Sequence, residues 1–195
     1  MILITRKSCE IYRSVYQDLK GKPMKKIKNP KLIHDQKEIL AVIDNNLHFL
    51  EKLESVVQQI SESCEEIYEE GHYEIGSFVR HVIDFYRVFI TYLTSNEEVL
   101  DYRVRNIVSA DQVRTNKAIE TNPGTGVHAI QEIKKEFERM KFNIPEDVLF
   151  QKVNVTAQGD EIITPTTVVS ELFVLPDHLI HHFATMAVMA VIKGE

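Results

Sequence analysis

Apolar residues along this chain recur mostly at helical spacing. Between Ile33 and Ile60 they fall at Ile39, Val42, Ile43, Leu47, Leu50, Leu53, Val57 and Ile60, which places one stripe of a long amphipathic helix toward a core. A second helix is predicted over 77–93, "SFVRHVIDFYRVFITYL", with Ser77 as its N-cap. Phe78, Val82, Phe85, Phe89 and Tyr92 mark one of its faces, and His81 borders that face. A third helix, "GTGVHAIQEIKKEFERMK", opens at Thr121 or Asn122 with Pro123 and ends near residue 141. The last begins at about Pro165 and continues to Ile192, and Pro176 inside it lacks an N–H and predicts a kink. Residues 148–164 change period: "QKVNVT" alternates, Gln-Gly-Asp turns and "EIIT" resumes, as in a β-hairpin. Two segments are read as loops. Residues 61–76 are acidic and end in glycines, and 95–124 are polar and too long for a simple connection, so they predict a functional or capping loop. The sum predicts an all-α fold, a four-helix bundle with a small β-hairpin between helices three and four.

Composition adds boundaries and exclusions. Only 7 glycines and 6 prolines interrupt 195 residues, which favours long regular elements. Residues 21–31, "GKPMKKIKNPK", read as a linker, so 1–30 are expected to be a basic N-terminal extension and 31–195 one domain. The extension carries eight Lys/Arg against two Asp/Glu, whereas the body carries fifteen against twenty-seven. A body of that sign argues against nucleic acid as a partner, because phosphate binding needs a cationic face. No run approaches the ~18–20 apolar residues of a membrane span, and the N-terminus lacks the apolar core of a secretory signal. Cys9 and Cys64 show no C-x-x-C spacing and suggest neither a disulfide framework nor a thiolate zinc site. The cytoplasm is the expected compartment.

Candidate chemistry concentrates in "LPDHLIHHFATMAVMAVI", residues 175–192. His178 and His182 are four apart, about 40° apart in azimuth on a helix, so both imidazoles can reach one ion. His181 lies about 100° from His182 and is expected to face elsewhere. The inner residues Leu179, Ile180 and His181 include no glutamate, so a zincin-type H-E-x-x-H mechanism has no support. A catalytic zinc site commonly uses three protein ligands and an open position. The third ligand must come from another helix, and His81 is the strongest candidate beside His34, His48, His72 and His128. On spacing alone, ordinary core or surface histidines remain the alternative.

"IGSFVRHVIDFYRVF" and "SELFVLPDHLIHHFATMAVMA", with "LDYRVRNIVSADQVRTNKAIETNPGTGVHAIQEI" between them, resemble the histidine motifs and intervening loop of the DinB-like (DinB/YfiT) family over about residues 34–193. The resemblance implies a four-helix bundle of up-down-down-up topology. It also implies a divalent metal held by three histidines, which carry over to His81, His178 and His182, with His181 either packing beside them or supporting a ligand or substrate from just outside the triad. Zinc is the default, while nickel, iron or manganese also suit imidazole. Relatives of this kind include enzymes that use low-molecular-weight thiols. The expected function is therefore a metal-dependent hydrolase or thiol-dependent transferase acting on a small molecule. The alternative is a non-catalytic metal- or ligand-binding stress-response protein. Asp84, Glu171 and Asp177 are candidates to hold the far ring nitrogens of the ligands. Tyr102, Arg103, Arg105, Arg114 and Glu120 lie in the long loop, where arginines either clamp a substrate anion or pair with the acidic body. No general base or nucleophile stands out, and homodimerisation is left open.

Overall fold

A computed structural model of the chain describes residues 35–63, 75–95, 97–103 and 117–193. Among them are four long helices, α1 (Gln36–Ser63), α2 (Ile75–Thr94), α3 (Pro123–Phe142) and α4 (Val168–Lys193). Three strands, β1 (Val99–Leu100), β2 (Leu149–Val155) and β3 (Glu161–Thr167), form one sheet in the order β1-β2-β3. Residues 117–121 add a short helical segment before α3. The all-α four-helix bundle expected from the apolar pattern is therefore corrected to a mixed architecture. The predicted hairpin is not isolated: β1, from the segment read as a loop, adds to it in parallel, pairing Val99 with Gln151 and Leu100 with Lys152. The reason is burial, since Leu100 is 1 % exposed and Phe150 7 % exposed in the common core, whereas a two-residue strand is too short to show a period of its own.

α1 packs on α3 and α4, and α2 packs on the same two helices. The stripe predicted for α1 is the buried one, with Ile43, Leu50, Leu53 and Val57 fully enclosed. Its start is a capping box, in which the Glu38 N–H donates to Asp35 Oδ1 at 2.9 Å and the Asp35 N–H to Glu38 Oε2 at 3.0 Å. α1 runs on to Ser63, three residues into the segment read as a loop. α2 begins at Ile75 rather than at Ser77, because Ile75 and Gly76 are already buried helical positions. Asn122 caps α3 as expected, accepting from the Thr125 N–H at 2.9 Å, and Pro123 occupies the first turn, where its missing N–H costs nothing. No helix among the described residues is long and apolar enough to cross a membrane.

The hairpin turn is closed by bonds between Thr156 and Asp160 and between Gly159 and Thr156, both 2.9 Å, with Gly159 at φ +90° in the region that favours glycine. The last helix starts later than predicted. Pro165 belongs to β3, opposite Gln151, where an outer strand tolerates its missing donor. β-Branched Thr166 and Thr167 continue the strand, and Thr167 Oγ1 then accepts the Ser170 N–H at 3.1 Å to open α4. Buried Asp147 adds a second cap, accepting the Val169 N–H at 2.9 Å, where the helix dipole favours its negative charge. α4 then continues through Pro176 without a break.

Candidate metal centre

Two helices bring three imidazoles together. α2 presents His81 and α4 presents His178 and His182, one turn apart. The Nε2 atoms of His178 and His81 lie 3.0 Å apart, and those of His182 and His178 lie 3.2 Å apart. The three ligand atoms all fall within 4.8 Å of one another, so these residues could bind one metal ion. Metal–nitrogen bonds of ~2.0–2.1 Å in a tetrahedral set put neighbouring ligand nitrogens about 3.3 Å apart, so the observed spacings are close to those of a histidine-bound ion. The donor set is nitrogen only and neutral, and it would leave a divalent ion its full charge.

The rings are held largely by aromatic packing. Phe85 stacks on His178 with centroids 4.1 Å apart and planes at 17°, and Tyr102 stacks on the other side of Phe85 at 3.8 Å and 11°. Phe78 packs against His182 at 5.3 Å. His182 is buried, and its Nδ1 has no hydrogen-bond partner among the described residues. With Nε2 turned to the cluster and Nδ1 buried without a partner, the ring offers its available lone pair to the centre when the proton is on Nδ1. Burial, and after it the neighbouring imidazoles of His182, His81 and His181, push His178 down to about 4. Burial and then His181 lower His182. Both rings are thus held neutral near pH 7, the state in which imidazole ligates a metal.

The remaining candidates are distributed differently from expectation. His181 is exposed and outside the three-histidine cluster, with its ring edge-on to His182 at 5.4 Å. Asp84 accepts from Arg80 Nη1 at 2.5 Å, and Arg80 Nε donates to Glu120 at 2.6 Å, so Arg80 links the two carboxylates in one ion-pair chain. Asp177 is exposed. Glu171, 2 % exposed, faces the sheet and not the histidines: Lys152 Nζ donates to it at 2.9 Å, the Tyr102 hydroxyl at 2.9 Å and the Thr166 hydroxyl at 2.7 Å. Arg103 pairs at the surface with Asp101 and Glu161, both at 2.7 Å. Arg105 and Arg114 lie outside the described residues, as do His34 and His72. His48 and His128 are exposed and outside the cluster, the first against Phe49 and the second near Glu132.

Three contributors escape a reading of spacing alone. Phe85 and Phe78 look like further core positions on α2, yet they are half-buried and turned to the histidines, while Ile75, Val79, Ile83 and Tyr86 fill the core beside Val82 and Phe89. Lys152 looks like the outward residue of an alternating strand. The usable signal was the opposite charge of Lys152 and Glu171 in segments of otherwise low charge. Tested against protein-family models, curated proteins and solved structures, the chain matches none of them.

Proposed function

We propose that His81, His178 and His182 hold a divalent ion, zinc by preference, and that the chain is a metalloenzyme of the DinB-like kind acting on a small molecule. The observation that carries this reading is the convergence of three Nε2 atoms from two helices, with that of His178 3.0 Å from His81 and 3.2 Å from His182. The two separated histidine motifs in "FVRHVIDFY" and "DHLIHHFATMAV" support the same family. Nickel, iron and manganese are the other occupants that imidazole suits. A bound ion supplies a Lewis acid that polarises a carbonyl, lowers the pKa of a coordinated water toward ~7 or holds a thiolate. The protein residues orient the ligands: Phe85 and Tyr102 fix the plane of His178, and Phe78 closes the side of His182. The reaction is then hydrolysis or transfer with a low-molecular-weight thiol, in which substrate or cosubstrate brings the nucleophile.

A second reading, a non-catalytic metal- or ligand-binding stress protein, draws on one observation. Asp84, Arg103 and Glu171 are each engaged in ion pairs of their own, leaving the histidines as the chemistry of the site among the described candidates. Metal analysis of the purified full chain decides the first step. Wild type should carry or take up about one ion per chain, and His81→Ala and His178→Ala should each lose it. A wild type that binds no ion overturns both metal readings. With the ion present, a thiol-conjugation screen run beside an esterase and amidase screen separates transfer from hydrolysis, and silence in all of them favours the non-catalytic reading.

A further inference from the structure

Pro176 lies inside α4, two residues before His178. Without an N–H it cannot donate to the Leu172 carbonyl one turn earlier, and its ring crowds that carbonyl. The carbonyl is nevertheless satisfied, by a side chain from another helix. Asn46 of α1, fully buried, donates through Nδ2 to Leu172 O at 2.8 Å and to Val42 O at 2.9 Å. Because carbonyls only accept, two of them facing one end of the amide identify that end as nitrogen. The other end must accept, and Asn46 Oδ1 does so from the Tyr86 hydroxyl of α2 at 3.1 Å. Tyr86 is itself fully buried.

These bonds tie α1, α2 and α4 together within the core. Their two outer members share helices with the candidate ligands: Tyr86 lies five positions after His81 on α2 and Leu172 six positions before His178 on α4. Apolar contacts alone allow small sliding between helices, whereas a buried polar network tolerates one arrangement because each broken bond leaves an unpaired group. We propose that Asn46 is a positioning residue for the metal centre: it supplies the donor that Pro176 lacks, and so sets the path of α4 that brings His178 and His182 opposite His81.

The inference rests on the metal-binding reading, and the test separates the two. Zinc and cobalt(II) affinities of the full chain are measured by chelator competition, together with the cobalt d–d spectrum. The proteins are wild type, Asn46→Ala, Pro176→Ala and the double variant. Asn46→Ala should weaken metal binding roughly tenfold or more and alter the cobalt spectrum. In the Pro176→Ala background residue 176 regains an N–H for Leu172, and the same Asn46 substitution should then change affinity by less than roughly threefold. If Asn46→Ala does not fold, Tyr86→Phe removes only the hydroxyl that holds the amide, and a several-fold loss of affinity is expected. Asn46 variants with full affinity and an unchanged spectrum, whatever their melting temperature, overturn the proposal alone, as does an equal loss in both backgrounds. A wild type that binds neither ion overturns the metal reading and this proposal with it.

Discussion

At the scale of single residues, the centre is a set of bases kept from their protons. An imidazole in the unfolded chain takes up a proton below about pH 6.5, whereas His178 in the folded chain resists down to about 4, chiefly because it is buried and then because other imidazoles surround it. Between those values the unfolded state binds more protons than the folded one, so stability falls as the pH drops. Metal-free protein should therefore lose denaturant resistance progressively from about pH 6.5 toward about 4. His178→Gln should flatten that profile, and an unchanged profile would show that His178 is not the group responsible. The spacing of His178 and His182 was readable in the sequence, because a period of 3.6 residues dictates which side chains share a face. His81 stood out among the other histidines only by its place beside the apolar face of the second helix, since azimuth on one helix says nothing about which helix lies opposite. Asn46 left a trace that went unread: it stands at a core position within the stripe of Val42, Ile43, Leu47 and Leu50, where a polar side chain needs a buried partner.

At the scale of elements, the join between sheet and last helix is electrostatic. Glu171 at the start of α4 is buried under Lys152 of β2, Tyr102 and Thr166, and the Lys152 ammonium also lies 4.9 Å from the Tyr102 ring centroid. Removing one partner leaves a buried charge without its counterion, which is costlier than removing both. Lys152→Met should destabilise the fold by about 3 kcal/mol. Adding Glu171→Leu should recover most of that loss in a denaturant series, and simple additivity of the two changes would refute the pairing. Helices α1 and α3 were legible nearly to their ends, because capping and amphipathic period act within a few residues. The sheet was half legible. β2 and β3 are neighbours joined by a tight turn, but β1 draws its stability from a partner about fifty residues away, which no local window contains. Pro165 predicts a helix start yet lies in β3, because proline suits a first helical turn and an outer strand equally.

At the scale of the whole molecule, the three histidines come from two helices, so an ion bound among them would link binding to folding. An ion present at ~100 times its dissociation constant adds about 2.7 kcal/mol to stability, which corresponds to a rise of about 5–10 °C in melting temperature for a chain of this size. Chelation should remove that increment from wild type and leave His81→Ala unmoved in a thermal melt with and without the chelator. The long separation of the ligands gives this linkage a further character. His81 and His178 are 97 positions apart, and β1, α3 and the hairpin all lie between them. An ion held there would act as a reversible cross-link that closes a ring containing half of the molecule. A covalent link closing a loop of ~100 residues restricts the unfolded chain by about 4.7 kcal/mol on a chain-entropy estimate. A coordinate link of the same span would impose that restraint only while the metal stays bound, making the tether removable by any competing ligand strong enough to take the ion.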